Sequence, residues 1–257
     1  MNISLAPEVI FLIGTFPFTN TLLVSWVIVA FLTISAIILN KKITAVPRGF
    51  QNLVEGSFEG MLSFADNITG DRKRTLEFFP LVATIFFFVL FSNFVELVPG
   101  LGSIGFFEEH EGKRVLIPFI RSTSADLNFT LALAIISVVA AQIYGMKHLG
   151  FLGHWSKFFV PPWKSPYVIG TFVGFLELIS EFAKIISFSF RLFGNIFAGE
   201  VLLLVVGFLA PYIAPIPFLF LEIFVGFVQA MVFSVLTLVF LKLATEGHGE
   251  AEAAVHA

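Results

Sequence analysis

Five charged or amide residues between positions 177 and 195 interrupt a stretch otherwise built largely of Leu, Ile, Phe and Ser: Glu177, Glu181, Lys184, Arg191 and Asn195. Their spacings of 4, 3, 7 and 4 residues place them on one helix face, because each residue advances the helix by about 100°. Glu181 and Lys184 are three apart and can neutralise one another. Arg191 has no such neighbour. The positions three and four away on either side are Ser187, Phe188, Gly194 and Asn195, none of them charged. Glu200 is nine residues on, about half a rotation round the helix and about 14 Å along it, too far for a direct pair. An arginine at the centre of a membrane helix costs about 2.5–3.5 kcal/mol on insertion scales, and ionisable residues at that depth mark ion pathways. The chemistry that suits this pattern is ion handling, with a fixed cation whose carboxylate comes from another chain. The competing reading is helix packing, which fits Lys164 and Lys242 and fits Glu181 and Lys184 as well as the functional one does.

The next apolar helix carries a second polar pair. Glu222 and Gln229 are seven apart and share a face. Folding the two helices back on one another at "PYIAPIP" brings Glu200 near Glu222, and Arg191 or Asn195 near Gln229, to within a turn or two. Two carboxylates then lie toward one end, Arg191 near the middle, and Glu177, Glu181 and Lys184 toward the other. Close carboxylates in a partly dry site are expected to titrate as a coupled pair.

The elements that must hold these residues are membrane helices. The chain has 257 residues, 57% hydrophobic and 13% charged, with a mean hydropathy of +0.94, whereas soluble domains are nearer a quarter charged. A span needs about 20 mostly apolar residues. Candidates run over 21–39, 77–98 and 126–146, followed by a long pair over 167–210 and 218–243. The 44 residues of 167–210 contain no proline and would reach about 65 Å as one helix, against a hydrocarbon core of about 30 Å. That helix is therefore broken or steeply slanted. Residues 48–70 alternate apolar and polar groups at helical spacing, which predicts an amphipathic helix at the membrane interface, ended by the charges at 71–74. Residues 100–122 read as a polar loop. The expected fold is an all-α polytopic membrane protein: a single membrane domain with about five membrane helices, one interfacial helix and a slanted C-terminal hairpin.

Charge sets orientation. Lys41, Lys42, Arg48, Arg72, Lys73, Arg74, Lys147, Lys157, Lys164 and Lys242 fall on one side, against Lys113, Arg114 and Arg121 on the other. The first side is expected to be cytoplasmic (or matrix), with the N-terminus outside and the C-terminus inside. A net charge of −3 gives no reason to invoke nucleic acid. With no cysteine, disulfides, thiolate metal sites and thiol nucleophiles are excluded. The first 20 residues lack the basic and cleavage-site features of a secretory signal.

The stretch "RLFGNIFAGE" (191–200) resembles the signature of subunit a of the F-type rotary ATP synthases, the stator that faces the c-ring. "FSNFVELVPG", "STSADLNFTLALA" and "QAMVFSVLTLVFL" resemble the same family's second, third and last spans, while the first 75 residues match by hydropathy only. The resemblance implies two offset proton half-channels and a pair of slanted helices against the ring. It implies that Arg191 is the essential arginine that meets each ring carboxylate. Asn195, Glu200, Glu222 and Gln229 fall on positions that line the outer half-channel, with Asn93, Ser124, Asp126 and Asn128 near its entrance. Glu177, Lys184 and Ser187 match the inner exit. Some members carry histidine where this chain has Glu222, and a proline where it has Thr123. The partners implied are the c-ring, b-type subunits of the peripheral stalk, protons and lipid, with no cofactor and no metal, in an energy-transducing membrane such as the bacterial inner membrane. No GxxxxGK[ST] loop is present, so the phosphoryl chemistry would belong to other subunits. Two other readings stand beside this one: a secondary transporter or channel with an anionic substrate at Arg191, which the lack of an internal repeat weakens, and a purely structural subunit, which leaves the desolvated charges unexplained.

Overall fold

The computed structural model describes residues 7–44, 49–98, 104–110, 113–155, 167–211 and 213–246. Three of its long helices begin where the sequence supplies a side-chain cap. The Thr19 hydroxyl accepts from the Leu22 N–H at 3.3 Å ahead of α1 (Asn20–Lys42). Asp71 does the same for Lys73 at 2.9 Å ahead of α3 (Arg72–Glu96), and Asp126 for Asn128 at 2.9 Å ahead of α4 (Leu127–Leu149). Each satisfies one of the orphan donors of a helix start. Between α1 and α3, α2 (Phe50–Thr69) stops at Gly70, whose φ of 72° is a left-handed close that glycine adopts without a Cβ penalty. The charged run at 71–74 therefore opens a helix as well as following one. Asp71 is the cap, and α3 starts at Arg72, five residues before the expected Glu77.

The short α5 (Phe151–Trp155) follows α4, and then α6 (Tyr167–Leu209) runs unbroken for 43 residues. At about 65 Å it exceeds the hydrocarbon thickness twofold, and of the two expected alternatives the unbroken helix is the one present. Pro215 sits in the first turn of α7 (Pro215–Thr245), where its missing N–H forfeits no helical bond. Helices α1, α3, α4, α6 and α7 are long and apolar enough to cross a membrane. The fold is an all-α polytopic membrane protein. It carries two short antiparallel ribbons: β1 (Val9–Ile13) with β2 (Phe16–Thr19), and β3 (Gly105–His110) with β4 (Lys113–Pro118). The second ribbon lies within what the sequence suggested was only a polar loop.

Helix α7 lies between α3 and α4, and α6 packs across α4 and α7. One buried cluster joins them: Ile85, Phe86 and Val89 of α3, Leu133 and Ala134 of α4, Phe188, Leu192 and Ile196 of α6, and Ala230 and Phe233 of α7. A second unites Ala65 of α2 with Phe78 and Val82 of α3, Ala141 of α4, and Leu238 and Leu241 of α7. In lipid, helices associate through close packing and interhelical hydrogen bonds rather than through hydrophobic burial, and both are present. The Asn93 amide donates to the Gly226 carbonyl at 2.9 Å, at a point where a Cβ on Gly226 would come within 3.2 Å of Asn93 Cβ. Thr130 meets Ser189 at 3.1 Å, and Thr237 donates to Ser137 at 3.2 Å. Helix α2 keeps Ala65 inward and leaves Leu53, Phe58 and Phe64 exposed beside Glu55 and Glu59, the composition of a helix lying at a lipid interface.

Candidate functional site

The α6–α7 hairpin is in register. Phe188 stacks on Phe233 with ring centroids 3.7 Å apart, and eleven residues further along α6 Gly199 lies against Glu222, eleven back along α7. This register puts Gln229 level with Leu192 and Ala230 level with Arg191, as the fold-back at "PYIAPIP" predicted. The contact at Gly199 is close: a Cβ there would lie 2.0 Å from Glu222 Oε2. The glycine is what admits the Glu222 carboxylate, and the carboxylate is itself buried.

The polar residues fall into three groups. At one end of the hairpin, Glu200 accepts from Arg121 Nη2 at 3.1 Å, with the Arg121 side chain 8% exposed. Arg121 immediately precedes the buried segment Ser122–Asp126. That segment is held to α3 by the Ser92–Thr123 hydroxyl contact and by Ser122 Oγ donating to the Ser92 carbonyl at 3.2 Å. Asn93, Ser124 and Asp126 are all buried at this junction. Asn93 Oδ1 and Ser124 Oγ have no hydrogen-bond partner among the described residues, which marks polar positions not used up by holding the fold. Asp126 differs from them. Its two oxygens are taken by the Asn128 N–H at 2.9 Å and the Thr21 hydroxyl at 2.9 Å, so it caps α4 and ties α1 to it. The Asn128 side chain is exposed and joins none of these contacts. The two carboxylates sit at one end of the hairpin as expected, yet they meet different neighbours: Glu200 has Arg121, and Glu222 has the α6 backbone at Gly199.

At the middle, Ser187, Arg191, Asn195 and Ala198 form an exposed strip on α6. The Arg191 guanidinium has no ion pair or hydrogen bond among the described residues. At the lysine-rich end, Glu177 is half-buried and Lys184 Nζ pairs with Glu181 Oε1 at 2.5 Å, lying 5.3 Å from the centre of the Phe240 ring. Glu181 also accepts from Gln142 of α4 at 3.0 Å. Gln229 is half-buried on α7.

Arg121, Gln142 and Thr21 were not singled out from the sequence as site residues. Arg121 was read as a topology charge, since a cation flanking a span usually is one. Only its position immediately before the buried Ser-Thr-Ser-Ala-Asp run hinted at burial.

The chain is thus a multi-pass membrane protein with an exposed arginine, unpaired among the described residues, midway along a helix twice the hydrocarbon thickness, and with carboxylates gathered toward that helix's ends. Comparison with known proteins names the family. The model of the ATP synthase A chain family matches residues 22–242, so the chain belongs to that family. It is 36% identical over 218 residues to ATP synthase subunit a of Campylobacter jejuni (strain 81-176), covering 84% of this chain and 86% of that one. It is 29% identical over 242 residues to that of Moorella thermoacetica, covering 94% and 98%, and 35% identical over 225 residues to that of Syntrophobacter fumaroxidans, covering 86% and 82%. It is thus a component of the membrane sector of an F-type ATP synthase, and a multi-pass protein of bacterial membranes.

Proposed function

We propose that this chain conducts protons to and from a c-ring through two offset half-channels and that Arg191 couples this flow to rotation. The observation that carries the reading is the state of Arg191: a guanidinium side chain that is exposed and without a partner among the described residues. A cation so placed needs a carboxylate from outside the chain, and a ring carboxylate stripped of its proton needs a cation to cross the membrane interior. The pairing must be transient, because a permanent buried bridge would stall the ring. Ala198 and Gly194 keep this face shallow. The same positive charge bars a direct leak between the half-channels, so each proton travels with the ring and gains about 2.3 kcal/mol per 100 mV.

Glu200, Glu222, Asn195 and Gln229 line the outer half-channel, with Asn93, Ser124, Asp126 and Asn128 toward its mouth. Glu177, Lys184 and Ser187 line the inner one. Glu222 relays protons in the space that Gly199 leaves, and Arg121 holds Glu200 in place. The peripheral stalk's b-type subunits and the lipid complete the setting, with the lysine-rich side cytoplasmic. Labelling cysteines at positions 102 and 249 from opposite faces of the membrane tests that orientation, and labelling of both from the same face ends it. Replacing Arg191 with alanine tests the mechanism. ATP-driven pumping is expected to fall at least about 100-fold, equivalent to about 2.7 kcal/mol or more, while passive proton leak through the assembled membrane sector rises. Near-normal ATP synthesis by that variant would overturn the reading.

A further inference from the structure

At the lysine-rich end, four side chains on three helices form one hydrogen-bonded chain. His154 of α5 is 2% exposed, and its Nε2 lies 2.6 Å from Gln142 Oε1. Gln142 Nε2 donates to Glu181 Oε2 at 3.0 Å, and the other carboxylate oxygen accepts from Lys184 Nζ at 2.5 Å. The roles are fixed by chemistry. An ionised carboxylate only accepts, so Gln142 turns its amino group to Glu181 and its carbonyl to the ring, and His154 must then carry hydrogen on Nε2.

The imidazole is wedged in a notch between α4 and α7. A Cβ on Gly145 would lie 2.6 Å from His154 Cε1 and 2.8 Å from the Ala244 carbonyl oxygen. Among the other charged groups nearby, Lys147 and His148 engage Glu77 at 2.6 and 3.1 Å, and Lys242 engages the Ile68 carbonyl at 3.0 Å and Glu246 at 3.8 Å, while Glu177, one turn before Glu181 on α6, is half-buried and has no hydrogen bond or ion pair among the described residues. The chain that starts at His154 is therefore directed at the Glu181–Lys184 pair.

We propose that His154 and Gln142 are positioning residues for the inner half-channel, which rests on the function proposed above. They hold Glu181 between two donors, Gln142 and Lys184, so that its carboxylate stays on the Lys184 ammonium and does not swing to the uncovered face. Lys184 is thereby kept one turn from Ser187 and two turns from Arg191, and its charge sets the local potential met by protons passing between the inner aqueous phase and the ring. Releasing Glu181 changes how readily the inner channel loads, and not how fast the ring turns once loaded.

The test uses the whole ATP synthase in sealed vesicles, with ATP-driven pumping measured against inner-side pH at fixed outer pH. Gln142→Leu is expected to move the half-maximal inner pH by about one unit, a tenfold change in proton concentration and the size of effect that a relocated neighbouring charge produces. The maximal rate should stay within about twofold of wild type, and the dependence on outer pH should not change. His154→Leu should match it, and His154→Gln, which keeps an N–H donor, should restore the wild-type curve. If His154→Leu fails to assemble, Gln142→Leu decides alone. A wild-type inner profile in Gln142→Leu overturns the proposal, as does an equal loss of maximal rate on both sides. Arg191→Ala in the same vesicles separates the two claims: pumping that survives it sinks the coupling reading, whereas silent Arg191→Ala beside an unchanged Gln142→Leu sinks only this one.

Discussion

Two faces of α6, one residue and so about 100° apart, are built to opposite specifications. Phe188, Leu192, Ile196 and Gly199 are buried against α4 and α7, and Phe188 and Gly199 set the register of the hairpin. Ser187, Arg191, Asn195 and Ala198 are exposed, and each is polar or small. One face carries the shape of the chain, and the other carries the residues proposed to meet the c-ring. Neighbouring positions on one helix should therefore fail in different ways: Leu192 through stability and Arg191 through coupling.

The largest effect expected is on the exposed face. Arg191→Ala should lose coupled pumping while the complex assembles and melts as wild type, because no ion pair or hydrogen bond among the described residues depends on the guanidinium. Arg191→Lys should also fail to couple, since it keeps the charge and loses the planar fork. One residue on, Leu192→Ala should do the reverse. It opens a cavity in the four-helix cluster at a site 1% exposed, where large-to-small changes cost about 2–5 kcal/mol. The detergent-solubilised complex should melt earlier, and the molecules that survive should turn over at near-normal rates. A Leu192→Ala complex that is stable but silent would break the contrast between the faces.

The carboxylates sharpen the comparison. Replacing Glu200 and Glu222 together with leucine should abolish proton flux in an assembled complex. Arg121→Gln should have a smaller effect, because it removes the partner of Glu200 and leaves Glu222 in its place beside Gly199. Flux in the double leucine variant equal to wild type would show that the outer path runs elsewhere.

Much of this arrangement was legible in the sequence, for identifiable reasons. The hairpin register followed from helical periodicity and a proline-rich turn, both of them local signals. The polar strip of α6 was legible because charge stands out against hydrocarbon-facing residues. Contacts between distant segments were not. Arg121 reaches Glu200 across 79 positions, and Thr21 reaches Asp126 across 105, and no spacing rule connects them. Asp126 shows a subtler loss. A carboxylate just before an apolar helix is a capping signal, but the resemblance assigned it to the channel mouth, where its oxygens turn out to be committed to α4 and α1. The ribbon of β3 and β4 was hidden by its charges, since "EEHEGKR" reads as solvated loop before it reads as a turn between strands.

The smallest effect expected is at the point where the two faces meet. Gly199 belongs to the buried side, yet it makes room for the Glu222 carboxylate proposed as the proton relay, so Gly199→Ala should behave like neither Leu192→Ala nor Arg191→Ala. The new Cβ would overlap the Glu222 carboxylate, and that group is the far end of a flexible side chain, so the side chain can turn away while the backbone register, fixed independently by Phe188 on Phe233, is kept. Melting should change little. Proton uptake from the outer side should slow several-fold, while the dependence on inner pH stays as in wild type. Shortening the acid in the same molecule supplies the check. Glu222→Asp withdraws the carboxylate by one methylene, about 1.5 Å, and in the Gly199→Ala background it should recover part of the lost rate, whereas alone it should lower it. If the two substitutions instead add independently, as changes at separate sites do, then Gly199 is only a packing residue and the close approach of Glu222 to α6 has no part in moving protons.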